Sequence, residues 1–82
     1  MAADHRPVTL SLRYDEVLVL SDLLARWEAD GTMDGLPFQD QAERRVLWDL
    51  AATLEPLVGE AFSSNYADVV ARARAAVRDE SA

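Results

Sequence analysis

The sequence contains no cysteine, which removes disulfides, thiol catalysis, thiolate metal sites and iron–sulfur clusters together. Lysine is absent too, so all eight basic residues are arginine. The single histidine, His5, stands in a polar N-terminal stretch and is too isolated to complete a triad or a metal site. It reads as an unpaired surface side chain. The three glycines are isolated turn residues and form no phosphate-cradling loop. No apolar run approaches the roughly 20 residues needed to cross a bilayer. The N-terminus lacks the apolar core of a signal peptide, so a cytoplasmic protein is expected.

What remains is an 82-residue chain that is 50% hydrophobic and 28% charged. That balance suits one globular domain. A chain of this length hides only about 60% of its unfolded surface, which leaves apolar material for one core and little for a deep cavity besides. The net charge of −7 repels nucleic acid and anionic lipid, both of which are bound through Lys and Arg.

The first patterned segment is Val8-Thr9-Leu10-Ser11-Leu12-Arg13. Its strict alternation predicts a half-buried β-strand with Val8, Leu10 and Leu12 on one face. A helix is expected from about Asp15 to Ala29, with Asp15 and Glu16 favouring the positive end of its dipole. Val17, Leu20, Leu23, Leu24 and Trp27 share its apolar stripe, while Leu18 lies nearly opposite and could extend a partner surface. Asp30-Gly31 is the stop signal. A ten-residue loop follows, onto which Met33, Leu36 and Phe38 are expected to tuck the chain. Its acids, Asp30, Asp34 and Asp40, lack calcium-loop spacing.

Asp40-Gln41-Ala42-Glu43 matches a capping box that opens the second helix. The cap accounts for Glu43 without a catalytic role. The expected buried stripe is Val46, Leu47, Leu50, Leu54 and Leu57. Trp48 lies off it, beside Arg44, Arg45 and Glu55, as an edge-packed side chain or a stacking surface. Pro56 is expected to end or kink the helix and to push Glu55 out of the helical region. Leu57, Val58 and Phe62 read as apolar plugs. Ser63-Ser64-Asn65 reads as the cap of a third helix over 64–78. There Tyr66, Val69, Val70, Ala73 and Val77 form the apolar face, Asp68 pairs with Arg72, and Arg72, Arg74 and Arg78 form a solvated face.

The opening Val8–Leu12, the run Asp15 to Leu20, Ala42-Glu43, Val46-Leu47-Trp48-Asp49-Leu50, Leu54-Glu55, Phe62 and Tyr66 together resemble a group of small, largely uncharacterised bacterial proteins. The resemblance covers about residues 8–78 and carries over no functional residue. A weaker likeness is to ribbon–helix–helix DNA-binding regulators of antitoxin type, which would place Thr9, Ser11 and Arg13 in the major groove. The long helix–helix loop and the acidity depart from that pattern.

The expected fold is therefore mainly α, with one short N-terminal β-strand followed by a three-helix bundle. Residues 1–7 and 79–82 are expected to be disordered ends around a single 8–78 domain. The core is expected around Leu10, Leu20, Leu24, Trp27, Leu47, Leu50, Leu54, Tyr66, Val70 and Val77. A lone strand leaves its backbone unpaired, which suggests a homodimer joined through residues 8–12. The expected function is a small, acidic, non-catalytic protein-interaction or regulatory module. Its contact residues would be Val8, Leu10, Leu12, Leu18 and Trp48. No catalytic, cofactor or metal residue, and no nucleic-acid, membrane or small-molecule partner, is expected.

Overall fold

The structure, a computed structural model, describes residues 4–61 and 64–80. The disorder expected at Met1–Ala3 and at residues 81–82, the Phe62 plug and the Ser63 part of the helix cap fall outside those residues. Four α-helices follow one another: α1 (Tyr14–Ala29), the single turn α2 (Thr32–Gly35), α3 (Gln41–Leu54) and α4 (Tyr66–Glu80). A 3₁₀ segment, Glu55–Ala61, continues directly from α3.

The expected N-terminal strand is not there. Residues 4–13 form no regular secondary structure, and no strand occurs among the described residues. The physical reason is the one that made the strand suspicious. Alternation gives a segment one apolar face, but a strand exists only where another strand accepts its N–H and C=O groups. No other segment among the described residues offers such an edge. Val8, Leu10 and Leu12 are accordingly 84%, 79% and 46% exposed, and Leu10 is no part of the core.

Helix α1 begins where the sequence first supplies a cap. The Arg13 backbone N–H donates to Glu16 Oε1 at 3.0 Å, and the Arg13 carbonyl accepts from the Val17 N–H. The helix closes at Asp30-Gly31, with Gly31 at a φ of +82°. That left-handed turn favours glycine because a Cβ would meet the following carbonyl. Asp30 Oδ1 then accepts from the Thr32 N–H at 2.9 Å and starts α2.

At α3 the Asp40 carboxylate caps the Ala42 N–H at 2.7 Å, as expected. Glu43 reaches back one residue further than a capping box predicts, accepting from the Gln39 N–H at 2.9 Å. Pro56 does not push Glu55 out of the helical region; Glu55 has φ −53° and ψ −48°. Proline is tolerated there because it occupies the first turn of the 3₁₀ segment, where an N–H has no required acceptor. Non-helical backbone is met only at Val58.

Helix α1 is the centre of the molecule and packs against α2, α3, the 3₁₀ segment and α4. The core consists of Val17, Leu18, Leu24, Met33, Leu54, Val58, Ala61, Val70 and Ala73. Leu20, Trp27, Leu47, Leu50 and Tyr66 pack around it half-buried. Leu18, expected as a possible exposed contact residue, is 1% exposed. With neighbours on several sides, α1 also buries the residue opposite its main stripe. The α3 stripe is narrower than expected. Val46 and Leu57 are 63% and 59% exposed, while Leu54 alone of the five is fully buried.

Replacing Leu18 with Ala is expected to cost about 3 kcal/mol, in the range for emptying a close-packed leucine site. Leu10→Ala is expected to change stability by less than about 0.5 kcal/mol, as an exposed substitution does. Urea unfolding of the two variants measures both, and equal losses would contradict this core.

Candidate functional site

Three features hold the chemistry this chain has to offer: a buried carboxylate network, an arginine–tryptophan concavity and the N-terminal arm of residues 4–13.

The network centres on Asp22, the one buried charged residue among those described. It lies one turn after Leu18 on α1. Its Oδ1 accepts from the Tyr66 hydroxyl at 2.8 Å. Its Oδ2 accepts from Arg26 Nε, one turn on, and from Arg74 Nη2, both at 2.8 Å. Burial alone would raise the acid's pKa. Hydrogen bonds from Tyr66 and Arg26 and the charges of Arg26 and Arg74 outweigh it and hold the carboxyl below its ordinary value. Tyr66 is pushed up to about 12, chiefly by burial and then by its bond to Asp22 and that residue's charge. The carboxylate is thus locked in its ionised form with every strong donor around it engaged. Such an acid neither gives nor takes a proton near neutrality. Its work is to clamp α4 onto α1. Sequence reasoning missed Asp22 and placed Arg74 on a solvated face. The only available signal was the i,i+4 spacing of Asp22 and Arg26.

At the N-terminal end of α3, a shallow open concavity of about 440 Å³ is lined by Gln41, Ala42, Arg44, Arg45 and Trp48. The Arg44 guanidinium lies over the Trp48 ring, 4.8 Å from its centroid, a cation–π arrangement. Arg44 also pairs with Asp34, which ties α2 to α3, and its Nε is buried without a hydrogen-bond partner. Arg45 pairs with Asp49 at 3.2 Å. Trp48 therefore sits at the edge of the bundle among arginines, partly exposed. The lining contains no nucleophile beside a base, and both arginines are neutralised by α2 and α3 acids.

The arm carries Val8, Leu10 and Leu12, all exposed and outside the core cluster. Arg6 and Asp4 pair within it at 2.9 Å. Residues 7–12 make no hydrogen bond to the rest of the described chain. Tyr14, where the arm meets α1, is shifted up by desolvation and by the charge and hydrogen bond of Glu60, which places the 3₁₀ segment beside the root of the arm.

Of the five contact residues expected from the sequence, Val8, Leu10 and Leu12 are together on the arm. Trp48 is partly exposed on α3, and Leu18 is withdrawn into the core. The ribbon–helix–helix likeness has no strand to carry it among the described residues. No cluster of three or more His, Cys, Asp or Glu side chains placed to hold a metal ion occurs among the described residues. No helix among them is long and apolar enough to cross a membrane. No protein-family model matches the chain, and no curated protein or solved structure matches it.

The linked titrations of the Asp22 network set its pH dependence. Asp22 is lowered on folding, so its share of stability is present above the ordinary carboxylate range and is lost as pH falls through the folded value. Tyr66 is raised from 10.0 to about 12, so its share is complete below pH 10 and disappears as pH rises toward 12. Urea midpoints measured from pH 8 to 12 should fall less steeply for Tyr66→Phe than for the parent. Asp22→Asn is expected to cost about 2 kcal/mol, a value kept low because both arginines are half exposed. In a domain of this size that is a drop of about 10 °C in Tm.

Proposed function

We propose that this chain is a non-catalytic protein-interaction module of the cytoplasm, with the N-terminal arm as its contact element. The observation that supports this reading is the state of Val8, Leu10 and Leu12. They are three large aliphatic side chains within five residues, all exposed and outside the core cluster. Single exposed leucines are ordinary, but a contiguous apolar row is the usual mark of a surface that becomes covered. The backbone beside them offers unengaged N–H and C=O groups, so a partner gains directional bonds as well as apolar contact.

The remaining chemistry favours the same reading. The one buried acid among the described residues is fully engaged in holding helices together. The open concavity at Trp48 lacks a reactive pair and is shallow against the enclosing pockets that hold small molecules. A net charge of −7 works against phosphate-backbone partners and favours a protein surface.

A photo-crosslinking residue at position 10 tests this inside the cell. Adducts with protein are expected at position 10 and not at the exposed control position Glu28. Leu12→Asp should suppress them by placing a charge in the apolar row. Adducts equally abundant at both positions, or none at position 10, would remove the arm from this role.

A further inference from the structure

We infer that the cleft between α1 and the C-terminal end of α3 is a binding site for the primary ammonium group of a small amine. The site stands apart from the arm and does not depend on it.

The cleft exists because small side chains face one another across the helix pair. Ser21, Ala25 and Glu28 follow i, i+4 and i+7 spacing on α1, and Ala51 and Glu55 follow i, i+4 spacing at the end of α3. Together they line a space of about 210 Å³. Ser21 is buried and Ala51 half-buried, whereas Ala25 and both glutamates are exposed at the mouth. None of the large exposed apolar side chains lines it. A protein interface has such anchors at its centre, so this cleft suits a small ligand instead.

The first observation is a buried hydroxyl. Ser21 is only 7% exposed, and its hydroxyl makes no hydrogen bond with any described residue. A helical hydroxyl can satisfy itself on the carbonyl one turn back, as Thr53 does on Asp49 at 2.9 Å. Ser21 makes no such bond and lines the cleft instead. A polar group this buried is costly without a partner, and the cleft is where a partner can reach it.

The second observation is uncompensated negative charge. Glu28 lies in the last turn of α1, and Glu55 is the C-cap of α3. Both carboxylates therefore stand at the negative ends of helix dipoles, where cations are favoured. The last turn of α3 has no basic residue, and the one in α1, Arg26, is bonded to Asp22. Neither glutamate has an ion pair or a side-chain hydrogen bond among the described residues. One hydroxyl and two carboxylates offer an acceptor to each of the three N–H donors of an alkylammonium. Its apolar stem then lies against Ala25 and Ala51. A divalent metal takes six or more oxygens, and the cleft has no third acid.

Butane-1,4-diamine is the probe, titrated into the full chain at constant ionic strength. Saturable amide shifts in proton–nitrogen spectra are expected at residues 21–28 and 51–55. Glu28→Gln and Glu55→Gln should each weaken binding roughly tenfold, the loss of one charge-assisted hydrogen bond. Ser21→Ala should weaken it too, by a smaller factor. Asp68→Asn removes the same charge from an exposed position on α4 and should leave affinity within about twofold, because distant surface charges are screened. Circular dichroism checks that the variants keep the parent's helix content. Tetramethylammonium, a cation without N–H donors, should not compete. The inference is overturned by an absence of shifts, by unchanged affinity in Ser21→Ala, or by an equal loss in Asp68→Asn. Competition from tetramethylammonium or magnesium at equal concentration would overturn it as well. Tighter binding of Nα-acetyl-lysine amide than of the diamine would overturn the small ligand in favour of a protein lysine.

Discussion

The Asp22 carboxylate is the constraint on which the arrangement of this bundle depends. It is the only buried charge among the described residues, and it joins two helices whose sequences lie some fifty residues apart. A buried charge is tolerable only when its partners are in place, so α4 has one acceptable position on α1: the one that brings Tyr66 and Arg74 to the two carboxylate oxygens. Apolar burial alone would let α4 slide or rotate by part of a turn. The two bonds that cross to α4, both at 2.8 Å, remove that freedom. With α4 fixed on one side and α2, α3 and the 3₁₀ segment on others, α1 becomes an interior helix in a chain of only 82 residues.

An interior α1 explains why the outer elements keep exposed apolar groups. Eighty-two residues cannot surround one helix and also cover the backs of the helices that surround it. Val46 and Leu57 are left outside because α3 and the 3₁₀ segment give their inner faces to α1. The arm likewise stays outside the core, with Val8, Leu10 and Leu12 exposed. The same economy of material that makes a deep cavity implausible makes an uncovered apolar surface expected.

Local signals were legible and long-range ones were not. The caps at Asp40 and Gly31 and the spans of the three long helices could be read directly, because each depends on residues within one or two turns. The arm defeated the same reasoning. Alternation at Val8, Leu10 and Leu12 describes the segment alone, and a strand is a property of two segments. Leu18 failed for a related reason: a helical wheel shows which residues share a face, not how many faces have neighbours. Arg74 looked like an ordinary surface charge and Asp22 went unread, since their pairing bridges 52 residues of sequence. Of the anticipated contact residues, those on the arm and Trp48 stayed outside, and Leu18 did not.

The hub position of α1 has a consequence for communication across the molecule. Helix α4 packs mainly on α1, whereas α3 packs on both α1 and the 3₁₀ segment, and α3 and α4 share little contact with one another. A disturbance at the α3 flank therefore reaches the Tyr66–Arg74 side chiefly through α1, which the ion network holds. The two outer helices should respond to perturbation as independent reporters, so one face of this protein can evolve new partners while the other stays unchanged.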